Sequence, residues 1–141
     1  MRKLIGIGII FLVSFSCQNV NHLSSDNILT KRIETMFKSD SKIIDLSQLN
    51  SFEWDELIIL GPYSVVENVE NELNLDLENI RENKIEYDDS INLLVFLKNR
   101  KSIKISEVSR GIGDFMYLFL IIEKEKSKFI KSRNGTYNLA R

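Results

Sequence analysis

The chain has 141 residues, with 19 Lys+Arg against 20 Asp+Glu and 43% hydrophobic residues. That length holds one ordinary domain, and the apolar share is enough for a real core. A net charge of -1 excludes general nucleic-acid binding, and one Cys and one His exclude a disulfide framework and the usual Cys- or His-rich metal sites.

The N-terminus comes first and carries the clearest signal. Arg2 and Lys3 precede an uncharged apolar run from Leu4 to Phe15, which is 12 residues long. A bilayer span takes about 20 residues, whereas a secretory signal core takes about 7–15. Cys17 follows at once, after Ser14, Phe15 and Ser16. The arrangement resembles a bacterial lipoprotein signal. The resemblance implies cleavage before Cys17 and acylation of the new N-terminal Cys17. Residues 1–16 are then a signal peptide, residues 17–25 the lipidated Cys and a polar tether, and residues 26–141 one globular domain. Acylation removes Cys17 as a nucleophile or redox switch. Gln18, where some inner-membrane lipoproteins carry Asp, leans the expectation toward an outer membrane. His22, inside the tether, has neither the fixed position nor the orienting partner that a catalytic His needs.

Residues 26–39 read as a helix capped by Asp26 or Ser25, with Ile28, Leu29, Ile33, Met36 and Phe37 on one face. Residues 39–51 form a connector with a short apolar piece at Ile43 and Ile44. Leu57 to Leu60 is a short continuous apolar run, the pattern of a buried central strand. Gly61-Pro62 ends it, because Pro has no N–H to give the ladder. Ser64 and Glu67 fit a capping box for a helix over 65–73, with Val65, Val66, Val69 and Leu73 buried. Residues 74–89 are acidic and irregular, and Leu75, Leu77, Ile80 and Ile85 give brief packing contacts.

From Ser90 the period changes. Residues 91–97 and 102–108 form an antiparallel hairpin across a polar turn at Lys98–Lys101, with Ile103 and Ile105 on the same side. Residues 115–122 (FMYLFLII) read as a third, central strand. Residues 129–139 make a last hairpin with a type I′ turn at Asn134-Gly135. The expected class is α+β: two short helices packed on one face of a mostly antiparallel sheet of about five strands.

Trp54-Asp55, the strand after them, and Gly61-Pro62-Tyr63 resemble a motif of small bacterial lipoproteins and secreted proteins. Asp45-Leu46-Ser47 with Leu49, and Leu93 to Phe96, extend the likeness over residues 45–97. That family carries no assigned activity, so the resemblance implies an envelope lipoprotein and no catalytic residue. The residues themselves read as a structural corner, with a ligand site at Trp54, Asp55 and Tyr63 as the alternative.

Other chemistry fails on spacing. Gly111-Ile112-Gly113 lacks the third glycine and the following helix of a dinucleotide loop, so it reads as a bend. Asp88-Asp89-Ser90 lacks calcium-loop spacing. No cofactor and no metal is expected. Residues 45–91 carry 13 acidic and 2 basic residues, whereas residues 92–141 carry 11 basic and 4 acidic. Interleaving in the fold would neutralise the two, and a bipolar surface is the alternative. The expected function is a non-catalytic, lipid-anchored envelope module that binds the membrane through its lipid and an unknown protein partner. An immunity or inhibitor lipoprotein facing a cationic toxin is the second reading, and a hydrolase built on Glu53, Asp55 or Glu56 the third.

Overall fold

Leu57–Leu60 and Ile91–Leu97 are buried at every residue, so the strands that carry them are covered on both faces. In the computed structural model, which describes residues 20–116 and 118–140, these runs become β2 (Glu56–Leu60) and β3 (Ile91–Lys98). They pair antiparallel, Ile58 opposite Val95. β4 (Lys101–Ser109) flanks β3, and β5 (Ile122–Glu123) pairs with the start of β2, giving the order β4-β3-β2-β5. The β3–β4 connection is two residues, Asn99 (φ 50°) and Arg100 (φ 65°), the left-handed pair of a type I′ turn. A register shift at Phe96/Leu97 breaks the alternation of β4. Ile105 therefore enters one core while Ile103 packs against the other, contrary to the same-side expectation.

Two cores result. On one face, Leu57, Ile59, Leu94 and Phe96 meet Leu29, Ile33 and Phe37 of α1 (Asn27–Lys38). A second, three-stranded antiparallel sheet closes that core: β1 (Ile44–Asp45), β6 (Lys128–Lys131) and β7 (Tyr137–Leu139), in the order β1-β6-β7. On the other face, Ile58, Leu60, Leu93, Val95 and Leu97 meet Val66 and Val69 of α2 (Val66–Leu73). Leu75, Leu77, Ile80 and Ile85 join them as fully committed core residues rather than brief contacts. The class is α+β as expected. There are seven strands in two sheets, and the helices lie on opposite faces of the larger one. Strands with continuous buried runs need cover on both sides, and one helical layer supplies only one.

Helix ends show where local pattern and fold disagree. For α1 they agree: the Asp26 carboxylate accepts from the Leu29 N–H (2.9 Å) and from Lys104 Nζ (2.9 Å). Ile28, expected on the buried face, is 86% exposed. The Leu29 N–H and Lys104 hold the Asp26 carboxyl below its usual range. Asp26→Ala is expected to cost about 1 kcal/mol in urea unfolding. In the wild type this contribution is full above the ordinary Asp value, about 3.9, and is lost as pH falls through the lowered native value. A stability difference between the two that persists unchanged at pH 2 would contradict the assignment.

For α2 the capping box does not form. Val65 is the N-cap and stays exposed, and the Ser64 hydroxyl turns back to donate to Gly61 O (2.5 Å). The Val66 N–H donates instead to the Glu86 carboxylate (3.1 Å), so the cap comes from a distant turn. At the other end, the Arg100 guanidinium donates to the Leu73 and Asn74 carbonyls, placing a cation at the helix C-terminus.

The expected central strand at 115–122 is replaced by a crossing. Tyr137 N–H donates to Asp114 O and Met116 N–H to Tyr137 O, so the chain here serves the small sheet. It then returns, with Phe119 N–H donating to Ile59 O and Lys124 N–H to Asp55 O along the outer edge of β2. One straight strand cannot reach both sheets. Phe119 turns at φ 59°, and Met116, Phe119 and Leu120 are left exposed. The last hairpin also differs. Only Gly135 is left-handed (φ 86°), and its N–H donates to Ser132 O, a turn-plus-bulge loop rather than type I′.

Residues assigned to the tether are partly built in. Leu23 N–H donates to Asn79 O, Ser25 bridges to Ile105, and the Glu107 N–H donates to Ser25 Oγ (2.9 Å). They cover the outer edge of β4, where open N–H and C=O groups would invite pairing. Residues 1–16, expected to be a signal peptide, and Cys17 lie outside the described residues.

Candidate functional site

The motif residues occupy opposite ends of β2, about 17 Å of strand apart, so they do not form one site. At the first end Trp54 is 3% exposed. It packs edge-on to Phe96 (5.0 Å) and donates its indole N–H to Leu49 O (2.8 Å). Asp55 accepts the Asn99 N–H on Oδ2 (3.1 Å), fastening the β3–β4 turn, while Oδ1 is buried without a hydrogen-bond donor. At the far end a Cβ on Gly61 would lie 2.6 Å from Leu118 Cδ1, so any side chain there would have to displace the end of Leu118. Pro62 follows, then Tyr63 in the left-handed region (φ 61°), its N–H donating to Ile85 O (2.9 Å). Trp54 and Asp55 thus hold the β3–β4 turn end of β2, and Gly61 and Tyr63 the loop at its other end.

A polar cluster beside Tyr63 was not anticipated. Arg110 grips Asp114 with two hydrogen bonds (2.7 and 2.9 Å) and donates to Asp89 O (3.0 Å). The Arg110 guanidinium keeps the Asp114 carboxyl below its usual range. Asp89, by its negative charge, raises the Tyr63 phenol. Lys84 lies between Asp88 (3.4 Å) and Glu107 (3.5 Å). Asn92 is buried beside them and, after Arg110, also helps to lower the Asp114 carboxyl. The cluster ties three loops at one end of the large sheet. Bidentate pairing at i,i+4 was readable as Arg110…Asp114, but the meeting with Asp89 was not, because 20 residues separate them.

The hydrolase reading gains no geometry. Asp55 holds a turn, Glu56 pairs with Arg100 (3.8 Å), and Glu53 is exposed. None of the three lines a main surface depression. His22 is exposed, with Glu82 3.9 Å away. Among the described residues no group of three or more His, Cys, Asp or Glu could hold a metal ion, and no helix is long and apolar enough to cross a membrane.

What the surface does offer is the outer side of the small sheet. Ile44, Phe129 and Tyr137 point into the core, so Ile43 and Ile130 point out, 52% and 41% exposed. Two depressions meet at Ile43. One, of about 780 Å³, runs past Lys42, Ile130 and Lys131, and the other, of about 660 Å³, past Leu120, Lys128 and Leu139. Lys38, Lys42, Lys126, Lys128 and Lys131 border them, against Asp40 and Glu125. Elsewhere the acidic middle and basic end do interleave, through Arg100–Glu56, Lys101–Asp76 and Lys128–Asp45. No family model, curated protein or solved structure matches the chain.

Proposed function

We propose that the protein is a lipid-anchored module of a bacterial cell envelope, cleaved before Cys17, acylated on Cys17, and acting by binding rather than catalysis. The single observation that carries this is the order Arg2-Lys3, an uncharged apolar run of 12 residues, then Cys17 at its end. The family resemblance at Trp54-Asp55 and Gly61-Pro62-Tyr63 leans the same way. The short reach to the domain agrees with it: five residues separate Cys17 from Leu23, at most about 20 Å of extended chain. An anchor there would hold the β4 edge close to the bilayer. Each buried CH₂ adds about 0.8 kcal/mol, so one acyl chain binds reversibly and two or three bind firmly.

Cys17→Ala, or blocking the lipoprotein signal peptidase with globomycin, is expected to leave unprocessed precursor and to abolish labelling by radioactive palmitate. Processing that continues normally in Cys17→Ala, or wild-type protein that carries no acyl label, would refute the anchor. The binding role has support in Ile43 and Ile130, apolar side chains exposed on the outer side of the small sheet, since exposed apolar surface marks interaction sites.

A further inference from the structure

We infer that the outer face of α1 lies on the bilayer and binds anionic phospholipid headgroups, an orientation that rests on the lipid anchor at Cys17. The domain then presents one fixed side to the membrane instead of turning freely about its tether.

The point of attachment narrows the choice to two faces. Leu23 is bonded to Asn79, and Ser25 and Asp26 to Ile105, so the chain leaves toward Cys17 at the outer edge of β4. Five residues of extended chain hold the bilayer within about 20 Å of that edge. α1 begins at the same edge, with Leu29, Ile33 and Phe37 packed on one face of the large sheet. The loops at residues 76–88 flank the edge from the other face, where Leu77, Ile80 and Ile85 are packed.

Charge decides between them. The exposed side chains of α1 are Asn27, Ile28, Lys31, Arg32, Thr35 and Lys38, with no acid among them. The neighbouring acids are committed on the inner flank. Asp26 binds Lys104 and the Leu29 N–H, and Glu34 accepts the Ser109 N–H (2.9 Å) and faces Lys38 (3.9 Å). Asp40 lies past the end of the helix. Among the described residues no carboxylate is within 4 Å of Lys31 or Arg32. Residues 76–88 instead carry Asp76, Glu78, Glu82, Glu86 and Asp88. Their two cations are taken, Arg81 by Glu70 (2.7 Å) and Lys84 by Asp88 and Glu107. An anionic surface attracts the first face and repels the second.

Polarity points the same way. Ile28, in the turn of α1 next to the anchored edge, is 86% exposed, more than any other large apolar residue described. With half-buried Met36 it floors a depression of about 560 Å³ that Lys31 and Arg32 border. Apolar side chains flanked by basic ones let a helix settle into the headgroup layer.

The test uses the full, acylated protein in phosphatidylcholine vesicles with and without phosphatidylglycerol. Acylation consumes the Cys17 thiol, so Thr35→Cys or Glu82→Cys supplies the single attachment point for a nitrobenzoxadiazole probe. With phosphatidylglycerol present, the probe at position 35 is expected to shift to the blue and to be quenched by spin-labelled lipid, and the probe at position 82 to do neither. The quenching falls as salt rises. Each basic side chain near such a surface counts for about fivefold, so Lys31→Glu with Arg32→Glu is expected to lower the bound-to-free ratio of the face about 25-fold or more. Lys31→Arg with Arg32→Lys keeps it. Four results would each overturn the orientation: a probe at position 35 that stays in water on phosphatidylglycerol; equal quenching at positions 35 and 82; quenching at position 35 that is the same on phosphatidylcholine alone; or a dimer in sedimentation that Ile28→Glu abolishes, which assigns the face to a second copy. Wild-type protein without a palmitate label removes the anchor and the orientation with it. Palmitate-labelled protein whose probe at position 35 stays in water removes the orientation alone.

Discussion

Phe37→Ala is expected to lower the unfolding free energy by about 3–5 kcal/mol. Phe37 is 2% exposed and is the point where three elements meet. Its ring stands edge-on to Phe115 (5.3 Å, 80°) and to Tyr137 (4.6 Å, 82°), with Phe129 tilted at 5.8 Å. The Tyr137 hydroxyl lies 3.0 Å from both Phe37 O and Ile112 O, so the same residue holds the cluster through ring and carbonyl. Truncation removes the aromatic contacts and leaves a cavity that α1, fastened at Asp26, cannot fill by shifting. A domain of this size has about 5–15 kcal/mol in all, so the loss is a large share. Urea unfolding of the purified variant checks it, and a loss below about 1.5 kcal/mol would show that the small sheet stays attached without Phe37. Because β6 and β7 reach the large sheet through this cluster, the variant is also expected to loosen the small sheet.

How much of this was legible depends on whether a residue's role is set by near neighbours. α1 was readable because Asp26, Leu29, Ile33 and Phe37 form cap and stripe within four turns. β2 and β3 were readable as buried runs, and their continuity already implied two covered faces, which a single helical layer could not provide. Residues 115–122 look the same by composition but divide between two sheets, because Phe115 is claimed by Phe37 and Tyr137. No local pattern contains those partners. The α2 cap failed for a like reason: Glu86 is 20 residues from the N–H it accepts. Gly61-Pro62 was readable as the end of β2, but the separation of Trp54 and Asp55 from it by the length of the strand follows only once the strand is laid out. The exposed apolar side of the small sheet was the least legible feature. Its residues come from separate stretches around Ile43, Leu120 and Ile130, each unremarkable alone. The nearest signal was the pair Ile43-Ile44, where strand alternation sends one inward and the other out.

Gly111 and Gly113, read together as a bend, are expected to respond oppositely to Ala. Gly113 has φ 129° and ψ 167°, a region that L-residues essentially do not occupy. A Cβ there would lie 2.5 Å from Gly135 O and 2.8 Å from Tyr137 Cε2, and the first of these is backbone. Neither can yield cheaply, because Gly135 is the left-handed residue of the β6–β7 loop and Tyr137 belongs to the Phe37 cluster. Strain and overpacking each contribute about 1–3 kcal/mol, so Gly113→Ala is expected to cost on the order of 2–6 kcal/mol. At Gly111 the φ is ordinary, and the only near atom is Ser109 Oγ at 3.2 Å, the end of a rotatable side chain. That hydroxyl accepts the Gly111 N–H, a bond that Ala retains. Gly111→Ala is expected to stay within about 0.5–1 kcal/mol of wild type, gaining from a less flexible unfolded chain what it loses in the small shift of Ser109. Parallel thermal melts of the two variants decide the matter. Equal losses would mean that the crossing between the sheets does not depend on the close approach of Gly113 to the β6–β7 loop, and that the aromatic cluster alone sets the position of the small sheet and its outer face.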